Sequence, residues 1–160
     1  MTDSQSRDIF GVLVRKNSHK DIRRLKRESS VATIHGNKFW KSTSLLIDYL
    51  ESSPPKPNMR VLEIGCGWGI GGIFLAKNYD ATVTALDADE SVFPYLHYHA
   101  DVNGVNVTTV KERYENVSID MLSEFDMVIA SDICFWDEMT KPLSDLIHRC
   151  YQAGVERVVM

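Results

Sequence analysis

An apolar run, Val61-Leu62-Glu63-Ile64, passes directly into Gly65-Cys66-Gly67-Trp68-Gly69, and few folds accommodate that junction. Three glycines at alternate positions let a chain leave a buried strand through a turn that side chains would block. They also bring bare backbone against a ligand. A helix opening after such a turn offers its first, unpaired amides. Eighteen residues beyond Gly69 a second apolar run, 82–86, ends in Asp87. At that place in a parallel sheet a carboxylate accepts hydrogen bonds from both hydroxyls of a ribose. The two features together predict an adenosine site built on Gly65, Cys66, Gly67, Gly69, Asp87 and the adjoining Ala88. A tight turn with no ligand needs neither Glu63 nor Asp87.

The rest of the chain agrees with a parallel sheet. Short apolar strands read at 60–64, 82–86, 106–110, 126–130 and 156–160, alternating with amphipathic helices near 70–78, 90–102 and 139–153, which is the pattern of βαβ units. The fold class is therefore α/β: a doubly wound, mostly parallel, Rossmann-like sheet with helices on both faces. Before the first strand, Ser42 or Thr43 can cap a helix whose apolar face is Leu45, Leu46, Tyr49 and Leu50, and Ser52-Ser53-Pro54-Pro55 ends it. Ile9, Phe10, Leu13, Ile22 and Leu25 recur at loosely helical spacing and predict one or two short helices in the first thirty residues. Residues 1–41 thus read as a basic, helical N-terminal segment, and 42–160 as the cofactor-binding domain. The last strand reaches the chain end with Val155, Val158 and Val159 on an open edge, so the sheet is expected to be truncated after its fifth strand and prone to self-association there.

Two adenosine cofactors compete for the glycine turn, because Gly67, Gly69 and Gly72 also spell G-x-G-x-x-G, a dinucleotide signature. A pyrophosphate is anionic and gains nothing from a carboxylate just before the turn. S-adenosylmethionine brings an ammonium and a sulfonium, which Glu63 favours. An NAD-dependent oxidoreductase would also need a second nucleotide site, and no second glycine turn follows Asp132.

Glu63-Ile64-Gly65-Cys66-Gly67-Trp68-Gly69 with Asp87 resembles the cofactor motifs of class I, seven-strand S-adenosylmethionine-dependent methyltransferases, over about residues 40–160. Within them the chain looks most similar to the branch of protein lysine methyltransferases and nicotinamide N-methyltransferase-like enzymes, whose Trp-Ser/Thr element Phe39-Trp40-Lys41-Ser42-Thr43 matches. The resemblance implies that Trp40 touches the cofactor. That branch often ends its fourth strand in Asp-x-x-Tyr; here the sequence is Asp132-Ile133-Cys134-Phe135, which removes a phenol near the acceptor amine. The Asp-Pro-Pro-Tyr motif of nucleic-acid amino methyltransferases is also missing.

Asp132 follows the apolar 127–130 and so falls at the carboxyl edge of the sheet, where open α/β folds bind ligands. It is assigned to the methionine end of the cofactor or to the incoming nucleophile, as the catalytic carboxylate. Phe135 and Trp136 either shape a lid over a cationic acceptor or pack. After the third strand, Glu112 is placed to accept from the adenine amine, with Arg113 or Tyr114 able to cover the ring; an exposed charged turn would look the same. His97 and His99 sit two apart on one helix, hence on different faces, and read as structural or exposed rather than as ligands, and His35 is a weaker candidate still.

Charge is distributed unevenly. Residues 1–41 hold ten Lys and Arg against four Asp and Glu, and residues 42–160 hold eight against eighteen. The basic part suits an anionic partner such as nucleic acid or an acidic protein, although a solvated helix face has the same composition, and nucleic acid is not favoured. Cys66, Cys134 and Cys150 form no C-x-x-C pair, so no metal site is expected. No apolar run approaches the roughly 20 residues of a membrane span, and no signal peptide appears; the expected location is cytoplasmic. Transfer from a sulfonium already has a good leaving group, so alignment and exclusion of water carry the catalysis. The expected activity is N-methylation of a protein side chain or a small amine, with a non-catalytic cofactor-binding interaction protein as the alternative.

Overall fold

The chain opens on a β-hairpin. The computed structural model describes residues 4–29 and 38–160, and its first elements are β1 (Ser6–Ile9) and β2 (Val12–Arg15), paired antiparallel. The helix expected through Ile9, Phe10 and Leu13 is therefore corrected. Phe10 and Gly11 both take positive φ, 49° and 81°, the two-residue turn whose twist matches a hairpin, and the Gly11 amide donates to Asp8 Oδ1 at 2.9 Å. Val12 and Val14 are buried while Leu13 and Arg15 are half-buried, a period of two that overrode the loose helical spacing. The second expected helix exists as α1 (Lys20–Glu28), with the His19 ring accepting from the Asp21 amide. His35 lies outside the described residues.

Helix α2 (Ser42–Ser52) buries Leu46, Ile47 and Leu50. Leu45 and Tyr49, predicted to face the core, are instead exposed, and Tyr49 underlies the Arg157 guanidinium at 5.5 Å. Neither Ser42 nor Thr43 caps the helix; Lys41 holds the cap position without a side-chain bond. Both hydroxyls are used across the fold, as described below.

All five predicted sheet strands form: β3 (Arg60–Ile64), β4 (Thr82–Asp87), β5 (Thr108–Lys111), β6 (Met127–Ala130) and β7 (Arg157–Val159). They pair in parallel, in the order β5-β4-β3-β6-β7. Helices α3 (Ile70–Tyr79), α4 (Phe93–Asn103), α5 (Ile119–Leu122) and α6 (Thr140–Ala153) connect them. Only the one-turn α5 was not anticipated. Alternation along the strands divides the interior in two. Val61, Met127 and Ile129 join Ile47, Phe74 and Leu96 on one face of the sheet, and that core also takes Ile9, Val12, Val14 and Ile22. Leu62, Val128 and Ala130 join Leu122 and Leu146 on the other.

The order places β3 and β6 side by side although the chain visits β4 and β5 between them. The order in which strands are added to the sheet reverses at this parallel pair, so the loops leaving β3 and β6 part company at their carboxyl ends and open a crevice.

Candidate active site

The glycine turn after β3 is held by its own backbone and by one carboxylate. The Cys66 amide donates to the Leu86 carbonyl at 3.1 Å and the Gly69 amide to the Cys66 carbonyl at 2.7 Å. The Gly67 amide donates to Asp87 Oδ2 at 3.0 Å, while Asp87 Oδ1 accepts from the Asp89 amide at 2.9 Å. Burial raises the pKa of Asp87, with those amides opposing the rise. Gly65 and Gly69 adopt φ of 60° and 68°. A Cβ on Gly65 would lie 2.4 Å from Ile133 Cγ2, and one on Gly69 2.5 Å from Leu96 Cδ1, so at both positions close approach and backbone conformation demand glycine.

Glu63 is not in the crevice. Its carboxyl is buried beneath the start of α3, where Oε2 accepts from the Gly72 amide at 3.0 Å. A Cβ on Gly71 or Gly72 would come within 2.8 or 2.7 Å of its oxygens, so the glycine pair makes room for the acid. Burial pushes the Glu63 carboxyl up to about 8, the Asp87 charge adds to this, and the Gly72 and Gly71 amides oppose it. At neutral pH it is largely uncharged. The electrostatic attraction to a sulfonium that the sequence suggested for Glu63 is therefore replaced by a different role: it occupies the amides at the start of α3. A pyrophosphate needs those amides, so the preference against a dinucleotide stands on better ground than charge.

Above the turn lies a cavity of about 440 Å³. It brings together Trp40, Gly65, Cys66, Gly67, Gly69, Asp87, Ala88, Glu112, Asp132, Phe135 and Trp136, every sequence-predicted site residue except Glu63. Asp132 takes φ 52° at the exit of β6 and accepts from Ser42 Oγ, while Thr43 Oγ1 and Ser131 Oγ lie 3.2 Å apart. The start of α2 is thereby pinned to the β6 exit. Glu112 Oε1 accepts from the Arg113 amide and from Asn116 Nδ2, both at 2.8 Å, bonds that hold its pKa below the usual value. Phe135 and Trp136 are 42% and 59% exposed, which identifies them as walls of the mouth rather than packing. Phe135 lies 6.0 Å from the Trp40 ring and 5.8 Å from that of Trp136.

A family model described as lysine methyltransferase matches residues 19–160. The chain belongs to that family. Calmodulin-lysine N-methyltransferase of Arabidopsis thaliana is 30% identical over 122 residues, 71% of this chain and 40% of that protein. A ubiquinone biosynthesis O-methyltransferase of Azotobacter vinelandii is 27% identical over 125 residues, 78% of this chain and 50% of that one. The chain spans between two fifths and half the length of these relatives. In fold it is similar to magnesium protoporphyrin IX methyltransferase from Synechocystis PCC 6803, solved with bound SAM, at TM-score 0.54 and 18% identity over 86% of this chain and 67% of that one.

Sequence reasoning missed part of this cavity. Trp68, between two turn glycines, is 4% exposed and borders it, stacked on Tyr95 at 5.3 Å and on His99 at 5.1 Å. An aromatic flanked by turn glycines was the available signal. Tyr114, which the sequence offered with Arg113 as a cover for the adenine ring, borders the cavity, and its buried hydroxyl has no hydrogen-bond partner among the described residues. An orphaned phenol, a glycine cradle and a half-committed Asp87 together fit an adenosine cofactor with unsatisfied polar groups to meet. The Cys66 thiol borders the cavity too, but burial and the neighbouring carboxylates push its pKa well up and keep it protonated. Among the described residues, no cluster of His, Cys, Asp and Glu could hold a metal ion, and no helix is long and apolar enough to cross a membrane.

Proposed function

We propose that this chain binds S-adenosylmethionine in the 440 Å³ cavity and directs its methyl group to an amine nitrogen, on a protein lysine or a small amine. The observation that carries the reading is that one cavity joins the Asp87-braced glycine turn to an exposed aromatic mouth beside Asp132. S-adenosylmethionine, when bound, supplies a methyl group on a sulfonium, whose leaving group needs no protonation. Asp87, whose oxygens each hold one backbone amide, keeps lone pairs for the ribose hydroxyls, and Ala88 leaves that edge clear. Glu112 and the Tyr114 hydroxyl suit the adenine end. Trp40 and Asp132 suit the methionine end and the approaching nucleophile.

An attacking amine must be neutral, and it arrives as an ammonium. Trp40, Phe135 and Trp136 offer ring faces to that cation, and Asp132, held by Ser42, takes up its proton. The rings also keep water from the reacting nitrogen. The calmodulin-lysine relative supports a protein lysine as acceptor, and the O-methyltransferase relative shows that similar chains serve other nucleophiles. Three thiols, none in a disulfide, suit a reducing cytoplasm.

Calorimetry tests the cofactor and a labelled-methyl assay tests the acceptor. S-adenosylhomocysteine should bind and NAD should bind far more weakly, with label passing to lysine peptides or simple amines. NAD binding as tight as S-adenosylhomocysteine ends the cofactor reading; cofactor binding without transfer to any amine points to a non-catalytic binder.

A further inference from the structure

A second cavity, also about 440 Å³, opens beside the first and shares Lys38, Phe39 and Trp68 with it. Its wall carries Arg7, Arg15, Lys16, Lys38 and Lys41, and no Asp or Glu among its described lining residues. These cations come from three separate places: the hairpin, the turn after it, and the approach to α2. Lys16 donates to the neutral carbonyl of Ser4 at 2.7 Å, and Lys38 lies 4.2 Å from the centre of the Trp40 ring. Arg7 and Lys41 form no ion pair among the described residues. Five like charges around one hollow repel each other unless an anion occupies it.

The first cavity has the opposite sign. Asp87, Asp89, Glu112, Glu115 and Asp132 border it against Lys38 and Arg113, and Asp137 and Glu138 stand exposed beyond its mouth. The two hollows therefore form a dipole with Lys38 at the join. A nucleic acid lays phosphates along its whole footprint and would meet the acidic half. A protein segment with a lysine flanked on one side by carboxylates presents the complementary pattern: ammonium to the acidic, aromatic cavity, and acids to the basic one.

We infer that the basic cavity is the docking site for an acidic stretch of a protein acceptor, adjacent to the lysine presented to the first cavity. The inference rests on the proposed amine-methylating function, since it takes the first cavity as the place of the acceptor nitrogen. It also gives the hairpin a purpose in recognition, because Arg7, Val14 and Arg15 reach the groove only through the hairpin's packing on the sheet domain.

The test uses the full chain, saturated with S-adenosylhomocysteine, and two fluorescent peptides that share a central lysine. One carries glutamates on one flank and the other carries glutamines there. A variant combining Arg7→Gln, Lys16→Gln and Lys41→Gln removes three cations that border only the basic cavity. Anisotropy should show the acidic peptide bound about tenfold more tightly by the parent chain than by the variant, and about tenfold more tightly than the glutamine peptide, with the gain lost at high salt. Cofactor affinity, read by calorimetry, should be unchanged in the variant, which shows that it is folded. Equal affinities across chains and peptides overturn the inference, as does a single-stranded oligonucleotide that displaces the acidic peptide at lower concentration. With S-adenosylmethionine in place of its product, KM for the acidic peptide should rise in the variant while kcat holds. Salt-sensitive binding without methyl transfer leaves the groove standing and removes the proposed function; equal transfer to both peptides does the reverse.

Discussion

Asp87 does two jobs with one carboxylate. It fixes the Gly67 amide and its own following turn through Asp89, and in the proposed site its remaining lone pairs are left for the ribose hydroxyls. Charge-assisted bonds of this kind contribute about 1.5–3 kcal/mol each. Asp87→Ala is therefore expected to weaken S-adenosylhomocysteine binding at least about tenfold by calorimetry, with an unchanged circular dichroism spectrum. Glu63 works under the turn instead, and its signature is pH. Its carboxyl ionises near its usual 4.5 in the unfolded chain but near 8 when folded, so the folded state holds the proton longer. That contribution is fully present below pH 4.5 and is lost as pH rises through 8, at up to about 1.4 kcal/mol per pH unit. Glu63→Gln, which cannot ionise, should lack that part of the slope when urea unfolding is compared at pH 6 and 8.5.

Helix α4 is the element that fastens the hairpin. His99 and Asn103, one turn apart on α4, face β2: the Arg15 amide donates to His99 Nε2 at 3.1 Å, the Leu13 amide donates to Asn103 Oδ1 at 2.8 Å, and Asn103 Nδ2 returns a bond to the Leu13 carbonyl at 2.9 Å. With Nε2 accepting, the ring proton sits on Nδ1, which lies 2.7 Å from the Tyr95 carbonyl. His99 is thus neutral, and burial, with the Arg15 and His19 charges, presses its pKa down to about 4. The unfolded chain takes up this proton near 6.5 and the folded chain near 4. The stabilisation is complete above pH 6.5 and is lost as pH falls toward 4, again at up to about 1.4 kcal/mol per unit. Hydrogen exchange at the Leu13 and Arg15 amides should quicken on going from pH 7 to pH 5, after correction for intrinsic rates, and His99→Gln should remove most of that change. Because Trp68 stacks on the same ring, the fastening also backs one wall of the candidate active site.

Across the whole molecule, the hairpin and the sheet share one apolar core: Ile9, Val12 and Val14 pack in the cluster that holds Val61, Phe74 and Ile129. Lys77 adds a bond to the Gly11 carbonyl at 2.6 Å. Elements that share a core lose their contacts together. Urea unfolding followed by tryptophan fluorescence, which reports Trp68 in the core and Trp40 and Trp136 at the mouth, should coincide with that followed by far-ultraviolet circular dichroism. A hairpin detaching first would separate the two curves.

The parallel sheet, its five strands, the glycine turn and the position of Asp87 were legible in the sequence, because each rests on local pattern: runs of buried residues, alternate glycines, and an acid at a strand end. Trp40, Asp132, Phe135 and Trp136 could be proposed for the same reason, from their place relative to predicted strands. Long-range geometry decided the rest. Whether Glu63 faces the ligand or the underside of α3 depends on the room left by Gly71 and Gly72, eight and nine residues away and on another element. Ser42 and Thr43 read as caps until the β6 exit lay within their reach. Phe10-Gly11 closes the hairpin locally, and α4 supplies long-range partners for β2 that the helical spacing could not show. The basic residues scattered over positions 7–41 become one hollow next to an acidic one only when the hairpin and the approach to α2 meet over Trp68. Charge can be counted along a chain, but its field depends on which residues the fold brings side by side.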